Sequence, residues 1–317
     1  MPKIKDKKKI LKLAGILLFL IIIFTQIDFK ELYSVMISLN PWRLALASLL
    51  SLSPVLIKMF RWQYILQRLN VNCRLAEAFR IYFLSIILGL FTPLNAGDFI
   101  GRSAFLKKGG YRIKTSFLGT VIDRIADLAI LLLITAAGTF FLFNFFKINF
   151  FIVILAIILT LIVSFIFSQN KYCQKIMLKI FFLIVPEKYQ NYLKENIKEI
   201  ICDIKSFKIS DILAILAITF LSQLANLGFL YLLLLAVGIA QIPILSLFFF
   251  YAIISLITLI PITIGGFGTR EATFIAFFSI FGVANERTIT FSLLIFFLSL
   301  IPLLFIGLYL LIKKNKA

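Results

Sequence analysis

The sequence predicts an all-α polytopic membrane protein that forms a single membrane domain over residues 1–317. Hydrophobic residues make up 62% of the chain, and the mean hydropathy is +1.05, which is more than a water-facing domain buries. The apolar runs are long enough to cross a hydrocarbon core of about 30 Å, and they do not alternate as outer-membrane strands do. Because backbone groups in that core must bond internally, each run is predicted to be helical.

We expect about six full spanning helices, at residues 13–27, 42–64, 115–143, 150–168, 212–237 and 289–312. The first follows a strongly basic start, and no small-residue cleavage site comes after it. We therefore predict an uncleaved helix rather than a signal peptide. Two more apolar segments, 81–100 and 244–282, are interrupted by proline and glycine. Because these residues break helices, both segments are predicted to be re-entrant or to form half-helices.

The charged residues orient the chain. Lysine and arginine number 33 against 14 aspartate and glutamate residues, a net charge of +19. Of the 33 cations, 27 fall in segments that we place in the cytoplasm, including an amphipathic connection at residues 171–208, and three fall outside. This asymmetry follows the positive-inside rule. It places both termini on the cytoplasmic side of the inner membrane and accounts for the basic charge without nucleic acid.

Several kinds of chemistry have no support in the sequence. The chain contains no histidine, which excludes histidine triads, histidine metal ligands and histidine proton relays. Cys73, Cys173 and Cys202 form no C-x-x-C pair, so we expect no metal site, and we place all three thiols in the reducing cytoplasm. The chain has no nucleotide-binding P-loop motif. We expect no cofactor and no enzymatic activity.

One short pattern occurs twice. Residues 93–104 and 261–272 both read P-x3-G-x-F-x2-R-x-A, with five matches in twelve positions at an offset of 168 residues. Proline and glycine break the helix, and the next half-helix then begins with exposed amide N–H groups that favour an anion. Arg102 and Arg270 each lie nine residues after the proline. A guanidinium can bind a phosphate through two parallel hydrogen bonds, in a bidentate contact.

The same offset lays the predicted spans of one part of the chain on those of another. This indicates an internal duplication, with a first half at residues 42–143 and a second half at 210–312. The loop charges give the two halves opposite orientations. Inverted repeats with paired broken segments are typical of alternating-access transporters, which hold the substrate near the midplane between the halves.

The candidate substrate-binding residues are Arg102, Arg270, Gly97, Asp98, Gly265, Gly266 and Glu271. They lie in the two broken segments, where facing half-sites would suit a lipid phosphate. For Arg102 an ordinary cytoplasmic-loop charge is the alternative interpretation. Arg270 is flanked by apolar sequence on both sides, which favours a functional role more strongly.

A second group of charges lies in a predicted span. Asp123 and Asp127 are four residues apart and share a helix face, whereas Arg124 points away from Asp123. The alternatives are a buried ion-pair network that fixes helix packing and a carboxylate that couples transport to protons. We expect Arg102 to pair with this acidic face. Gln223 and Asn226 are interpreted as helix–helix hydrogen-bonding residues in preference to substrate contacts.

Three elements in this order resemble a known family: Pro93 with Gly97, Asp98 and Arg102; Asp123 and Arg124 with Asp127; and Gly265, Gly266 and Gly268 with Arg270 and Glu271. The chain is similar to the membrane region of bacterial lysylphosphatidylglycerol synthase/flippases and their stand-alone relatives. The resemblance implies a lipid-translocating membrane domain. Because the sequence ends at Ala317, soon after its last span, we expect no aminoacyl transfer. The first motif has Ala96 where the family often has glycine, which implies a stiffer loop.

The sequence therefore predicts a flippase-like transporter for an anionic lipid or lipid-linked head group, of phospholipid or polyprenyl-phosphate type. Its partners would be the membrane lipid and proteins of envelope synthesis. Two alternatives stay open. One is a membrane-embedded transferase in which Asp98, Asp123 or Glu271 acts as a base or holds a metal. The other is a partner in envelope lipid or glycan synthesis that transports nothing itself.

Overall fold

The computed structural model describes residues 29–90, 92, 96–111, 113–141, 207–259 and 268–314. The helices of this part of the chain are α1 (Phe29–Ile37), α2 (Pro41–Leu50), α3 (Leu52–Arg68), α4 (Leu75–Leu90), α5 (Ala96–Lys108), α6 (Ile113–Phe141), α7 (Ile209–Ala236), α8 (Ile244–Leu259), α9 (Thr269–Phe278) and α10 (Asn285–Lys314). A 3-10 turn, Ser279–Phe281, follows α9. The predicted spans 13–27 and 150–168, and the amphipathic connection up to residue 206, lie outside the described residues.

Three stretches of helix among the described residues are long and apolar enough to cross a bilayer: Pro41–Arg68, Ile209–Ala236 and Asn285–Leu310. Helix α6 has 29 residues, so its length of about 44 Å exceeds the hydrocarbon core. It carries three charged residues, Asp123, Arg124 and Asp127, within its apolar stretch. The described helices are those of a polytopic helical membrane protein.

The first spanning stretch bends where α2 meets α3. Pro54 lies in the first turn of α3 and lacks the N–H that would bond the carbonyl of Leu50. The Ser53 hydroxyl donates to Leu50 O instead, at 2.7 Å. The bend therefore leaves this carbonyl satisfied inside an apolar environment.

Side chains near the same bend replace a hydrogen bond that is lost at a second proline. Pro302 lies inside α10, so Leu298 O loses its helical donor. The Ser51 hydroxyl lies 3.0 Å from Leu298 O, and the Ser48 hydroxyl lies 3.4 Å from it. Ser51 is buried and also lies 2.6 Å from Ser48 O. Two serines of the first stretch thus supply the donor that α10 lacks, and this fixes the two helices side by side.

Helices α4 and α5 form an antiparallel hairpin around the first broken segment. A Cβ on Gly97 would lie 2.2 Å from the backbone oxygen of Leu88, and one on Gly101 would lie 2.9 Å from the Ser85 hydroxyl. The two helices therefore approach closely only because glycine has no side chain at these positions. Gly97, a predicted substrate-binding residue, is thus a packing residue in this structure.

The two halves of the chain are antiparallel where their first helices touch. Arg43 near the start of α2 donates to Leu235 O near the end of α7, at 3.0 Å. Tyr64 near the end of α3 donates to Asp211 near the start of α7, at 2.9 Å. Pro41–Arg68 and Ile209–Ala236 are also equivalent along the chain, because their first residues and their last residues both differ by 168 in number. Equivalent helices that run in opposite directions have the arrangement of an inverted repeat.

The remaining contacts between the halves are reciprocal. Gly138 in α6 lies against Phe249 in α8. In the other direction, Gly307 in α10 lies against Ile87 in α4. Each half thus places its long last helix against the hairpin helix of the other half. These contacts pack the two halves together along both long helices, α6 and α10.

Replacing Ser51 by alanine should lower the stability of the folded protein. The carbonyl of Leu298 would keep only the longer contact to Ser48, and an unsatisfied buried carbonyl costs about 1–2 kcal/mol. Thermal unfolding in detergent, followed by size-exclusion chromatography of heated samples, measures the change. Ser38→Ala is the control, because Ser38 is exposed and bonds only within its own turn. Equal melting temperatures for the two variants would show that the Ser51 hydroxyl does not replace the hydrogen bond that Leu298 O loses at Pro302.

Gly138→Ala should destabilise the contact between the halves. The new Cβ would lie 2.6 Å from Phe249 Cβ and 2.7 Å from its Cγ, and such overpacking costs about 1–3 kcal/mol. The matched control is Gly228→Ala, whose Cβ would meet only Leu50, at 3.5 Å. There the better helix propensity of alanine should leave stability equal or raised by up to about 1 kcal/mol. A melting temperature of Gly138→Ala equal to or higher than that of this control would contradict the close contact between Gly138 and Phe249.

Candidate functional site: a buried chain of ion pairs

Seven charged side chains from three helices of the first half form one continuous series of contacts, the ion-pair chain. In order of contact its members are Lys58, Asp127, Arg61, Asp123, Arg102, Asp98 and Arg124. Cations and carboxylates alternate along it, and each carboxylate lies between two cations. This alternation is what permits charges in an apolar interior, because an unpaired buried charge is costly.

Arg61 of α3 is the member that joins the two acidic residues of α6. Its Nε donates to Asp123 Oδ1 at 2.8 Å, and its Nη1 donates to Asp127 Oδ1 at 2.8 Å. Nη1 also lies 2.7 Å from the Thr219 hydroxyl of α7 in the other half. The Arg61 side chain has no exposed area. Asp123 and Asp127 therefore face the same neighbour, and the chain is tied to the second half.

Arg102 of α5 is saturated by carboxylates. Its Nε and Nη2 donate to the two oxygens of Asp98, each at 2.8 Å, and its Nη1 donates to Asp123 at 2.9 Å. Its guanidinium carbon lies 4.1 Å from the ring centroid of Tyr82 and 5.3 Å from that of Trp62. Arg102 is thus a buried network residue here, paired with the acidic face of α6. Its predicted role in substrate binding stays a prediction.

The two ends of the ion-pair chain differ from its interior. The side chains of Arg124 and Lys58 are 35% and 27% exposed, whereas those of Arg61, Asp123 and Arg102 are at most 1% exposed. Each end cation bonds one carboxylate, Asp98 for Arg124 and Asp127 for Lys58. The polar groups that remain open to a ligand therefore lie at the ends.

The second half holds a smaller cluster around Glu271 of α9. Arg270 donates to Glu271 Oε1 from Nε at 3.0 Å and from Nη2 at 2.7 Å. The Ser292 hydroxyl of α10 donates to the same oxygen at 2.8 Å, and Gly268 N donates to Oε2 at 2.6 Å. Glu271 is fully buried. Its carboxylate is therefore the anion that this helix start binds.

The amide groups expected to receive a substrate anion are partly used by the chain itself. Gly97 N, at the start of α5, donates to the Thr92 hydroxyl at 2.6 Å, and Gly268 N, before α9, donates to Glu271. Gly268 has a φ of 85°, which glycine adopts at little cost. Gly265 and Gly266, both predicted to bind substrate, lie outside the described residues.

The two halves carry different chemistry at equivalent positions. Adding the offset of 168 to Arg61, Asp123 and Asp127 gives Phe229, Phe291 and Ile295. All three of these apolar residues are buried in one hydrophobic cluster of the second half. The ion-pair chain is therefore a property of the first half, and the second half fills the same places with a packed apolar core.

Sequence reasoning did not find Arg61, Lys58 or Thr219. The two cations were counted among the cytoplasmic charges that follow the first long span. Two signals pointed inward: Arg61 lies inside the apolar stretch 42–64, and Lys58 is three residues before it, on the same helix face. An unpaired arginine within a span has a high free-energy cost. Arg61 was therefore as strong a candidate for a buried ion pair as Asp123.

Long apolar helices, antiparallel leading spans and buried, paired charges define a polytopic helical membrane protein with a cluster of charges in its interior. The family model of the lysylphosphatidylglycerol synthase transmembrane region matches residues 9–307. The chain therefore belongs to that family, as its motifs predicted, and the family connects it with membrane lipids. Comparison with curated proteins and with solved structures gave no match in either set.

Asp123→Asn should strongly destabilise the folded protein. Asp123 bonds both Arg61 and Arg102, and removal of one partner from a buried charge network costs about 3–5 kcal/mol. Thermal unfolding in detergent is the measurement. Glu77→Gln is the matched control, because Glu77 is partly exposed and lies outside the ion-pair chain, and an amide oxygen still accepts the bond of the Tyr111 hydroxyl. If both variants melt at the same temperature, the central role of Asp123 is wrong.

Proposed function

We propose that the protein is a flippase-like transporter that moves an anionic lipid or lipid-linked head group across the cytoplasmic membrane. The substrate is a phospholipid or a polyprenyl-phosphate type of lipid. The observation that carries the proposal is the antiparallel contact of equivalent helices, Pro41–Arg68 with Ile209–Ala236. Inverted halves of this kind rock against each other around a fixed site and expose it alternately to the two sides.

The depth of the ion-pair chain supports the proposal. Asp123 and Arg124 lie ten and eleven residues after the start of α6, which is about 15–17 Å along the helix axis. A hydrocarbon core of about 30 Å that begins at the start of α6 would have these two residues near its middle. Charged residues at such depth are costly and commonly mark the route of a polar substrate. A lipid head group needs such a polar route, because its tails already dissolve in the bilayer.

One observation favours the alternative of a partner that transports nothing. The second half is packed with aromatic rings, including a stacked pair of Phe250 and Phe277 with centroids 4.6 Å apart. Phe274 also lies edge-on against Phe278 and Phe291. A solid core of this kind moves as a unit. In a transporter it would be the rigid body that rocks, and in a scaffold it would not move at all.

Reconstitution separates these two functions. The purified protein is placed in liposomes that contain phosphatidylglycerol with a fluorescent label on its head group, and a membrane-impermeant quencher reports the labelled lipid in the outer leaflet. Protein-dependent loss of the protected inner pool supports transport. Labelled phosphatidylcholine tests the preference for an anionic head group. A protected pool of equal size with and without protein, for phosphatidylglycerol and for a labelled polyprenyl phosphate, would reject transport.

Arg270→Ala should abolish this translocation. Arg270 is the cation of the second broken segment, its side chain is 11% exposed, and it holds Glu271. Its removal would leave a buried carboxylate without a cation at the start of α9. Arg270→Lys keeps the charge but loses the paired bonds to Glu271, and it should retain part of the rate.

Two controls accompany the Arg270 variants. Arg287→Ala removes a guanidinium that bonds Gly238 O at an exposed position, and it should translocate lipid as the wild type does. Far-UV circular dichroism and a single chromatographic peak establish folding for each variant. A folded Arg270→Ala protein with the wild-type rate would remove this arginine from the transport site.

A further inference from the structure

The ion-pair chain has an excess of one positive charge and ends in a cation at both ends. We infer that it binds one phosphate-bearing anion between Arg124 and Lys58, and that these two end cations, rather than Arg102, are the head-group contacts of the first half. The inference rests on the proposed function for the lipid origin of the phosphate. The binding site itself follows from the contacts and charges of the ion-pair chain.

The cations of the ion-pair chain outnumber its carboxylates. The chain contains four cations, namely Lys58, Arg61, Arg102 and Arg124, and three carboxylates, those of Asp98, Asp123 and Asp127. With every member ionised, one positive charge is left without a partner. An uncompensated charge at membrane depth is expensive, so one bound monoanion would complete the pairing. A phosphodiester carries one negative charge.

The donors of Arg124 are also incompletely used. A guanidinium has five N–H donors on three nitrogens, and the bond of Arg124 to Asp98 uses Nη2 alone. Arg124 Nε is buried and has no hydrogen-bond partner. The guanidinium carbon lies 5.8 Å from the ring centroid of Phe99. The aromatic ring supports one face of the group, and Nη1 of this partly exposed side chain remains available to donate to a phosphate oxygen.

The two end cations are connected through α6. Arg124 and Asp127 are three residues apart on α6, so they are neighbours on the helix surface. Lys58 Nζ lies 3.1 Å from Asp127 Oδ1. The Asp127 side chain is 13% exposed, more than that of any other carboxylate of the chain. One open end of the ion-pair chain is therefore an ammonium that bonds Asp127, and the other is a guanidinium whose backbone position is about one helical turn from Asp127 on α6.

The two end cations are dispensable for folding, unlike the interior members. Without Arg124, Asp98 keeps the two-pronged bond of Arg102. Without Lys58, Asp127 keeps Arg61. No buried carboxylate is stripped of its cation in either single variant, because the ion-pair chain has one cation more than it has carboxylates. A purely structural network predicts loss of stability in these variants, whereas an anion site predicts loss of binding.

The test is a thermal-shift titration of the purified full chain in neutral detergent, because a ligand that binds only the folded state raises the melting temperature. The probes are phosphatidylglycerol, zwitterionic phosphatidylcholine and inorganic phosphate. Arg124→Gln and Lys58→Gln should each raise the apparent Kd for phosphatidylglycerol about tenfold, the loss of one charge-assisted contact. Their melting temperatures without lipid should stay within a few degrees of the wild type.

Matched controls remove the same charges elsewhere. Arg287→Gln and Lys107→Gln change exposed cations outside the ion-pair chain, and both should keep the wild-type Kd. Wild-type affinity in both end-cation variants would overturn the site. Destabilisation of those variants without lipid as large as that of Asp123→Asn would also overturn it, because the end cations would then be structural.

The remaining outcomes separate this site from the proposed transport. Stabilisation by inorganic phosphate, lost in both end-cation variants and without an effect of phosphatidylglycerol, would keep the anion site and overturn its lipid origin. Loss of phosphatidylglycerol affinity in these variants, with a wild type that translocates no lipid, would keep the site and reject transport. Wild-type rates of lipid translocation in both variants would keep transport and reject this site.

Discussion

The pairing of charge in an apolar interior is the constraint on which the first half of the molecule depends. Each carboxylate of the ion-pair chain is held by two cations that come from different positions on α3, α5 and α6. Because a bare charge there costs several kcal/mol, these three helices are fixed relative to one another by side chains rather than by apolar packing alone. Through Thr219 the same constraint extends to α7 and so to the other half.

The two halves have kept a common backbone plan while their interiors have diverged. The first and last residues of their leading spans are separated by the same 168 positions, yet Phe229, Phe291 and Ile295 occupy the places of Arg61, Asp123 and Asp127. The described part of the first half is thus held together by directional ion pairs as well as apolar packing, whereas these places in the second half hold closely packed apolar side chains.

Much of the helical arrangement could be predicted from the sequence, because the length of apolar segments, their Pro/Gly interruptions and the charge of the loops are local signals. The hairpin of α4 and α5 follows from such a break, and the family is carried by short motifs. The partners of the charges were less accessible, since they depend on packing between distant segments. Arg61 lies 62 positions from Asp123 in the chain, and although its place inside an apolar stretch marks it as a paired cation, no local signal names its partner. Likewise, no nearby residue indicates that Ser51 supplies the donor that Pro302 removes from α10.

An alternating chain of ion pairs also reconciles stability with the movement that transport requires. Asp123 is shared by Arg61 and Arg102, and Asp98 by Arg102 and Arg124. A shift of α5 against α3 releases one contact of a shared carboxylate while the other holds, so no carboxylate becomes bare along the way. Breaking a buried pair outright costs about 3–5 kcal/mol, and exchange of one partner for another avoids most of that cost. For the proposed transporter, an anionic head group that arrives at the end cations compensates the excess positive charge and enters the series as one more partner. The charges that hold the helices together would then be the same charges that let them move.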